Sequence, residues 1–132
     1  MFLNGLKNSQ KSLFMELAIK AAESNGVVPL EQKNMLKAFA IEMGITPVYH
    51  TERATEDIID NIIEISSEKE LKVIIFEILG IIVSDGVFDG KEKVFVTHVI
   101  EKCNMDIALI DKMVELLSKY ASVYQEIVDV VL

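Results

Sequence analysis

Ser24-Asn25-Gly26-Val27-Val28 returns sixty positions later as Ser84-Asp85-Gly86-Val87-Phe88. Each copy stands between two long runs in which apolar residues recur at helical spacing, so each reads as the hinge of a helix–turn–helix unit. Glycine reaches positive φ without a Cβ clash, which suits Gly26 and Gly86 to the position just past a helix end. After Gly86, Asp89-Gly90-Lys91-Glu92 has capping-box form: the Asp89 carboxylate can accept from first-turn N–H groups while Glu92 reaches back. In the first copy Pro29 opens the helix, where its missing N–H costs nothing, and Gln32 stands where Glu92 stands. Residues 12–45 laid on 72–105 without a gap also share Lys33 and Lys93, and their apolar columns coincide beyond what composition gives. The expected fold is all-α. It is a compact single-domain bundle of six to seven helices built on two helix–turn–helix pseudo-repeats, with residues 1–132 forming one domain.

Working outward, the first helix is expected over about 9–24, with Leu13, Phe14, Leu17, Ala18, Ala21 and Ala22 on one stripe and Glu16, Lys20 and Glu23 on the wet face. The second spans about 29–43 and ends at Gly44. A third, about 51–65, takes its cap from Thr51 or Thr55, and its stripe is Ile58, Ile62 and Ile65. Ser67 with Glu70 makes a capping box that opens the fourth helix, which runs through Ser84. A fifth covers about 89–103. Asp106 caps a sixth, carrying Leu109, Ile110, Met113, Leu116 and Leu117, and Tyr120 to Leu132 continues helically after a bend near Ser118. No period-2 alternation signals a strand, and the short loops leave no linker.

The two copies differ in one respect that bears on packing. Where the first helix has Glu16, Lys20 and Glu23, the fourth has Phe76, Gly80 and Val83. A helix apolar all round is buried all round. The fourth helix is therefore expected at the centre, covered by the third and the C-terminal helices, with Gly80 letting a neighbour approach. The alternative is that this face forms a dimer interface.

Composition narrows the function classes. Half the residues are apolar (51%), mean hydropathy is +0.34, and 132 residues suffice for a core without staples. A net charge of −8 argues against nucleic acid, which needs clustered Lys and Arg, and against docking on anionic lipid. The single cysteine, Cys103, excludes an intrachain disulfide and a cysteine-based metal cage. Met1-Phe2-Leu3 is too short for a signal-peptide core, and the run Val73 to Val83, broken by Glu77, falls short of a membrane span. A cytoplasmic protein is the expectation.

Asp85, Asp89 and Glu92 are the candidate metal ligands. Around Gly86 they have the layout of the second half of a calcium loop, with glycine at the turn and Glu92 six residues later. The leading acids of such a loop are absent, since Ile81 and Val83 occupy their positions. Turn and capping box without metal is the plainer reading, and a divalent cation is the only cofactor the sequence suggests. Glu77 stands inside Ile75-Phe76-Glu77-Ile78 and requires a partner if buried, more naturally from another helix than from Lys69 or Lys72. His98 reads as a packed or surface residue rather than a base, and His50 has no paired ligand nearby. Cys103 reads as packed, its thiolate disfavoured by Glu101 and Asp106. No catalytic motif is present, so no enzyme activity is expected.

Taken together, an apolar helix ending in Ser84-Asp85-Gly86, then Val87-Phe88-Asp89-Gly90-Lys91-Glu92, then Ile100-Glu101-Lys102-Cys103-Asn104-Met105-Asp106, resembles the tellurite-resistance TerB-like family. Asp85, Gly86 and Glu92 match that family's Asp-Gly turn with its later Glu, and Ser24-Asn25-Gly26 with Gln32 fits its duplicated layout. The likeness covers roughly residues 10–118. It implies a compact helical domain in a cytosolic bacterial protein of tellurite and other stress responses. It further implies an interaction module without established catalysis, with acidic turn residues suggested as metal sites. The function expected is a non-enzymatic interaction module that binds protein partners or a second copy of itself. The alternative is a divalent-metal-responsive protein using Asp85, Asp89 and Glu92.

Overall fold

The structure is a computed structural model that describes residues 1–24, 30–83 and 90–132. Both Gly-centred turns of the repeat, with Asp85 and Asp89, lie outside the described residues. Six α-helices follow a 3-10 turn at Leu3–Gly5: α1 Asn8–Ala22, α2 Leu30–Met43, α3 Thr55–Ile65, α4 Glu68–Ile82, α5 Gly90–Lys102 and α6 Ile107–Val131. Among the described residues there is no strand, and no helix is long and apolar enough to cross a membrane.

The sixty-residue period is written into the helices themselves. α1 and α4 begin and end at positions sixty apart, and α2 and α5 both begin so. Phe14 and Ile74, Met15 and Ile75, Ala18 and Ile78, and Ile19 and Leu79 are buried pairwise. The helix ends match as well. The backbone N–H of Lys7 donates to Gln10 Oε1, and that of Ser67 to Glu70 Oε1, both at 2.8 Å. Ser67 Oγ in turn accepts from the Glu70 N–H at 3.2 Å, completing the expected capping box. After α2, Gly44 lies at φ +70°, with Gly44 N–H on Ile41 O and Ile45 N–H on Ala40 O. After α5, Asn104 lies at φ 55°, with Asn104 N–H on Glu101 O and Met105 N–H on Ile100 O. This is one Schellman closure made twice, with asparagine standing in for glycine in the left-handed region.

The interior is shared between α1 and α4 rather than centred on α4. α1 packs against α2, α3, α4 and α5, while α4 packs against α1, α2, α5, α6 and the N-terminal turn. Met15 and Ile19, off the stripe read from the sequence, are also buried, so α1 is wrapped on most of its circumference. α3 lies mainly on α1 instead of covering α4. It starts at Thr55, four residues later than expected, and no side chain caps its N-terminus. Thr51 instead accepts from the Arg53 N–H and donates to Glu16, and Arg53 pairs with Glu16 at 3.0 Å. The face of α4 made by Phe76, Gly80 and Val83 is half-buried. A Cβ built on Gly80 would meet Met35 Cε at 3.9 Å and Leu117 Cδ2 at 4.0 Å, ordinary contacts, so the expected close approach does not occur. Gly80→Ala is accordingly expected to stabilise the fold by about 0.5–1 kcal/mol, read as a higher urea midpoint, because a mid-helix glycine carries an entropic cost with no close packing to offset it.

α6 is a single helix of 25 residues with no break at Ser118. Asp106 caps it as expected, accepting from the Ala108 N–H at 2.9 Å. The N-terminal segment closes the other side. Leu3 is fully buried against α2 and α4, where the Leu3 N–H donates to Glu42 Oε2 at 2.8 Å and the Phe2 N–H to Glu77 Oε1 at 2.9 Å.

Candidate functional site

Among the described residues, those singled out for chemistry do not converge. Of the three candidate metal ligands only Glu92 is among the described residues. It sits in the first turn of α5 with 1% of its surface exposed. Gln32, its counterpart in the first copy, is equally buried, and its Nε2 donates to Ile81 O in the last turn of α4 at 3.4 Å. The Gln32 side chain thus ties the first copy to the end of the second copy's opening helix. Among the described residues no group of three or more His, Cys, Asp and Glu side chains could hold a metal ion.

The other titratable candidates have structural partners. His98 Nε2 meets Glu56 Oε1, and Lys102 bridges Glu56 at 3.0 Å and Asp60 at 2.7 Å, an exposed ion cluster that ties α5 to α3. Hydrogen bonds from Lys102 and then His98 hold the Glu56 carboxyl below its ordinary range, and Asp60 with Glu56 raises the Lys102 ammonium. His50 is exposed and paired with Glu52 at 2.7 Å. Cys103 is half-buried, and burial is what pushes its thiol pKa up, with Lys102 pulling weakly the other way, so the acidic neighbours read from the sequence are not the cause. Glu77 is buried, and its partner is the N-terminal segment rather than a lysine.

What the structure does assemble is an apolar surface. Leu3, Leu6 and the 3-10 turn seat the chain's start beside α2 and α4, and α6 crosses α4 nearby. Between them opens a groove of about 640 Å³, walled by Met35, Phe39, Phe76, Leu117, Tyr120 and Tyr124, with Glu42 and Glu77 at the end where Met1 lies. The apolar wall contributed by α6 continues past Leu117, the last of its residues that packs on the core. Ile110, Met113, Leu117, Tyr120, Tyr124, Ile127 and Val131 alternate at spacings of three and four, the a and d positions of a heptad. Val114, Ala121 and Val128 flank them on one side and Leu116, Val123 and Val130 on the other, so every a, d, e and g position from Ile110 to Val131 is apolar. The remaining positions, among them Lys112, Glu115, Lys119, Gln125, Glu126 and Asp129, are all polar, and Lys119 pairs with Glu115 at 3.0 Å along that wet face.

Only the first half of this seam is used. Ile110 is buried, and Met113, Val114 and Leu117 pack on the core, but nothing beyond Leu117 belongs to it. Tyr120, Tyr124, Ile127 and Val131 remain 54–71% exposed, and Val123 and Val130 stand out with them. The stripe expected from the sequence ends at Leu117, with a bend near Ser118. The continuous three-four spacing through Ser118 was the signal that would have extended it.

No protein-family model matches the chain, and no curated protein or solved structure is detectably similar to it.

Proposed function

We propose that this chain is a non-enzymatic helical interaction module that works in the cytoplasm and binds other polypeptide through the apolar face of α6. The observation that carries the reading is the seam beyond Leu117, where two tyrosines and a row of β-branched residues stand exposed in helical register beside an apolar groove. Soluble chains rarely keep a contiguous apolar patch of this kind uncovered. A place in a bacterial tellurite or stress response belongs to the same proposal and rests on the TerB-like resemblance alone, whose centre is Asp85, Gly86 and Glu92. The divalent-cation alternative turns on Asp85 and Asp89, outside the described residues, and no observation on the described ones favours it.

The test is the state of the protein in its own cells at native expression. The wild-type chain is expected in a stoichiometric assembly larger than a monomer. Leu116→Ser/Val123→Ser, which alters one flank of the seam and touches no buried residue, is expected to run as a free monomer with unchanged helical circular dichroism. A wild-type chain that runs free in the cell would overturn the reading.

A further inference from the structure

The exposed half of α6 has a shape that fits itself. We propose that two copies of this chain associate through residues 120–131 of α6, the helices pairing antiparallel about a centre between Tyr124 and Ile127. This deepens the interaction-module reading by naming the partner, and rests on it.

Three observations favour a second copy over other occupants. The first is the distribution of size along the seam. Antiparallel pairing about that centre sets Tyr120 against the partner's Val131 and Tyr124 against the partner's Ile127, a position against d position as antiparallel helices require. Each layer then holds one large ring and one smaller branched aliphatic, and the layers interdigitate. Parallel pairing would stack tyrosine on tyrosine and valine on valine. The second is area. Val123, Ile127, Val130, Val131 and the two tyrosines expose 53–86% of their surfaces. They offer roughly 700 Å² per chain, against ~800 Å² per partner in a standard interface. The third is charge. The e and g positions beside the seam carry none, so nothing selects against an identical helix, whereas each chain carries −8 overall. The exposed segment follows the last α6 residue that packs on the core, and antiparallel pairing sets the two acidic bodies toward opposite ends of the paired stretch. Parallel pairing would set them side by side. A lipid surface fits poorly, because residues 120–132 hold no Lys or Arg, and an interfacial helix draws on a basic polar face. The paired surface is self-complementary under a two-fold axis, which closes the assembly at two.

The test uses the full chain. Light scattering behind size exclusion at 10–200 µM, concentrations of the order at which such interfaces are populated, is expected to give twice the 14.8 kDa chain mass. Tyr124→Glu/Ile127→Glu is expected to raise the dissociation constant at least tenfold while keeping the unfolding midpoint of the monomer, because neither side chain packs on the core. Ser122→Glu on the wet face is expected to leave the dimer intact. For orientation, Cys103→Ser chains carrying either Tyr120→Cys or Val131→Cys are expected to form a mixed disulfide when combined, and little disulfide alone. Rapid homodisulfides of each would overturn the antiparallel arrangement. A wild-type monomer at 200 µM, or a dimer indifferent to Tyr124→Glu/Ile127→Glu, would overturn the pairing. If that monomer still forms a seam-dependent assembly in cells, the interaction-module reading survives with a foreign partner, and if it runs free there, both fail.

Discussion

Phe14→Ala is expected to cost about 3–5 kcal/mol of folding stability, enough to leave the chain largely unfolded if the native state has the ordinary margin. Phe14 has no exposed surface and lies on α1, the helix that touches four others. Its ring meets Phe39 of α2 edge to face, with centroids 5.3 Å apart and planes at 76°. Truncation removes the transfer free energy of a buried ring, deletes an aromatic pair worth roughly 0.5–1.5 kcal/mol, and opens a cavity. The cavity opens in the middle of the core, on a helix held by four others, where little can shift to fill it. Phe14→Leu keeps most of the volume and is expected to cost less than half as much. Urea denaturation followed by far-UV circular dichroism checks both. Equal loss in the two variants would mean that the aromatic pair, not the volume, holds α1 to α2.

The same helix shows why the fold could be read from the sequence and its centre could not. Apolar spacing around Ser24 and Ser84 located the helices because burial of one face imposes the period, and the sixty-residue offset holds for their boundaries. Periodicity reports a stripe, though, and α1, with α3 folded back on it and three other helices against it, is buried well beyond its stripe, at Met15 and Ile19. Which helix a third one chooses is a tertiary matter that one helix's spacing does not carry. Ser118 misled for a different reason. Serine mid-helix costs only about half a kcal/mol relative to alanine, too little to stop a helix with strong apolar residues on both sides. Capping chemistry, being local, transferred well at Ser67 and Asp106 and failed at Thr51, whose hydroxyl is taken by Glu16 thirty-five residues away. The candidate site divides along the same line. Glu92 stands out for its spacing to Gly86, but its near-complete burial is a tertiary property that spacing does not report. The α6 seam was wholly present in the three-four pattern, and only the bend assigned at Ser118 hid it.

The N-terminal segment left no periodic trace at all, yet it is expected to carry the second largest effect. Leu3 is fully buried and Leu6 nearly so, and two backbone N–H groups of this segment end on carboxylates of α2 and α4. Leu3→Ala is expected to cost about 2–5 kcal/mol, since the cavity it leaves lies under a turn pinned at Phe2 and Leu3 and unable to sink into it. Glu77→Ala is expected to cost about 1–3 kcal/mol by leaving the Phe2 N–H without its acceptor. The Met1 ammonium adds a pH signature. It lies 2.5 Å from Glu42 Oε1 and 3.0 Å from Glu77 Oε1. Partial burial opposes its charge, but hydrogen bonds to Glu42 and Glu77 outweigh that, and its pKa is raised above the ordinary 8.0. A folded-state pKa above the unfolded value contributes stability that is fully present below pH 8 and is lost as pH climbs through the raised value. The wild-type unfolding temperature should therefore fall above pH 8 more steeply than that of Glu42→Gln/Glu77→Gln, which keeps acceptors for the N–H groups but not the charges. Parallel curves for the two proteins would mean that the carboxylates hold the segment through its backbone alone and that the ammonium adds nothing.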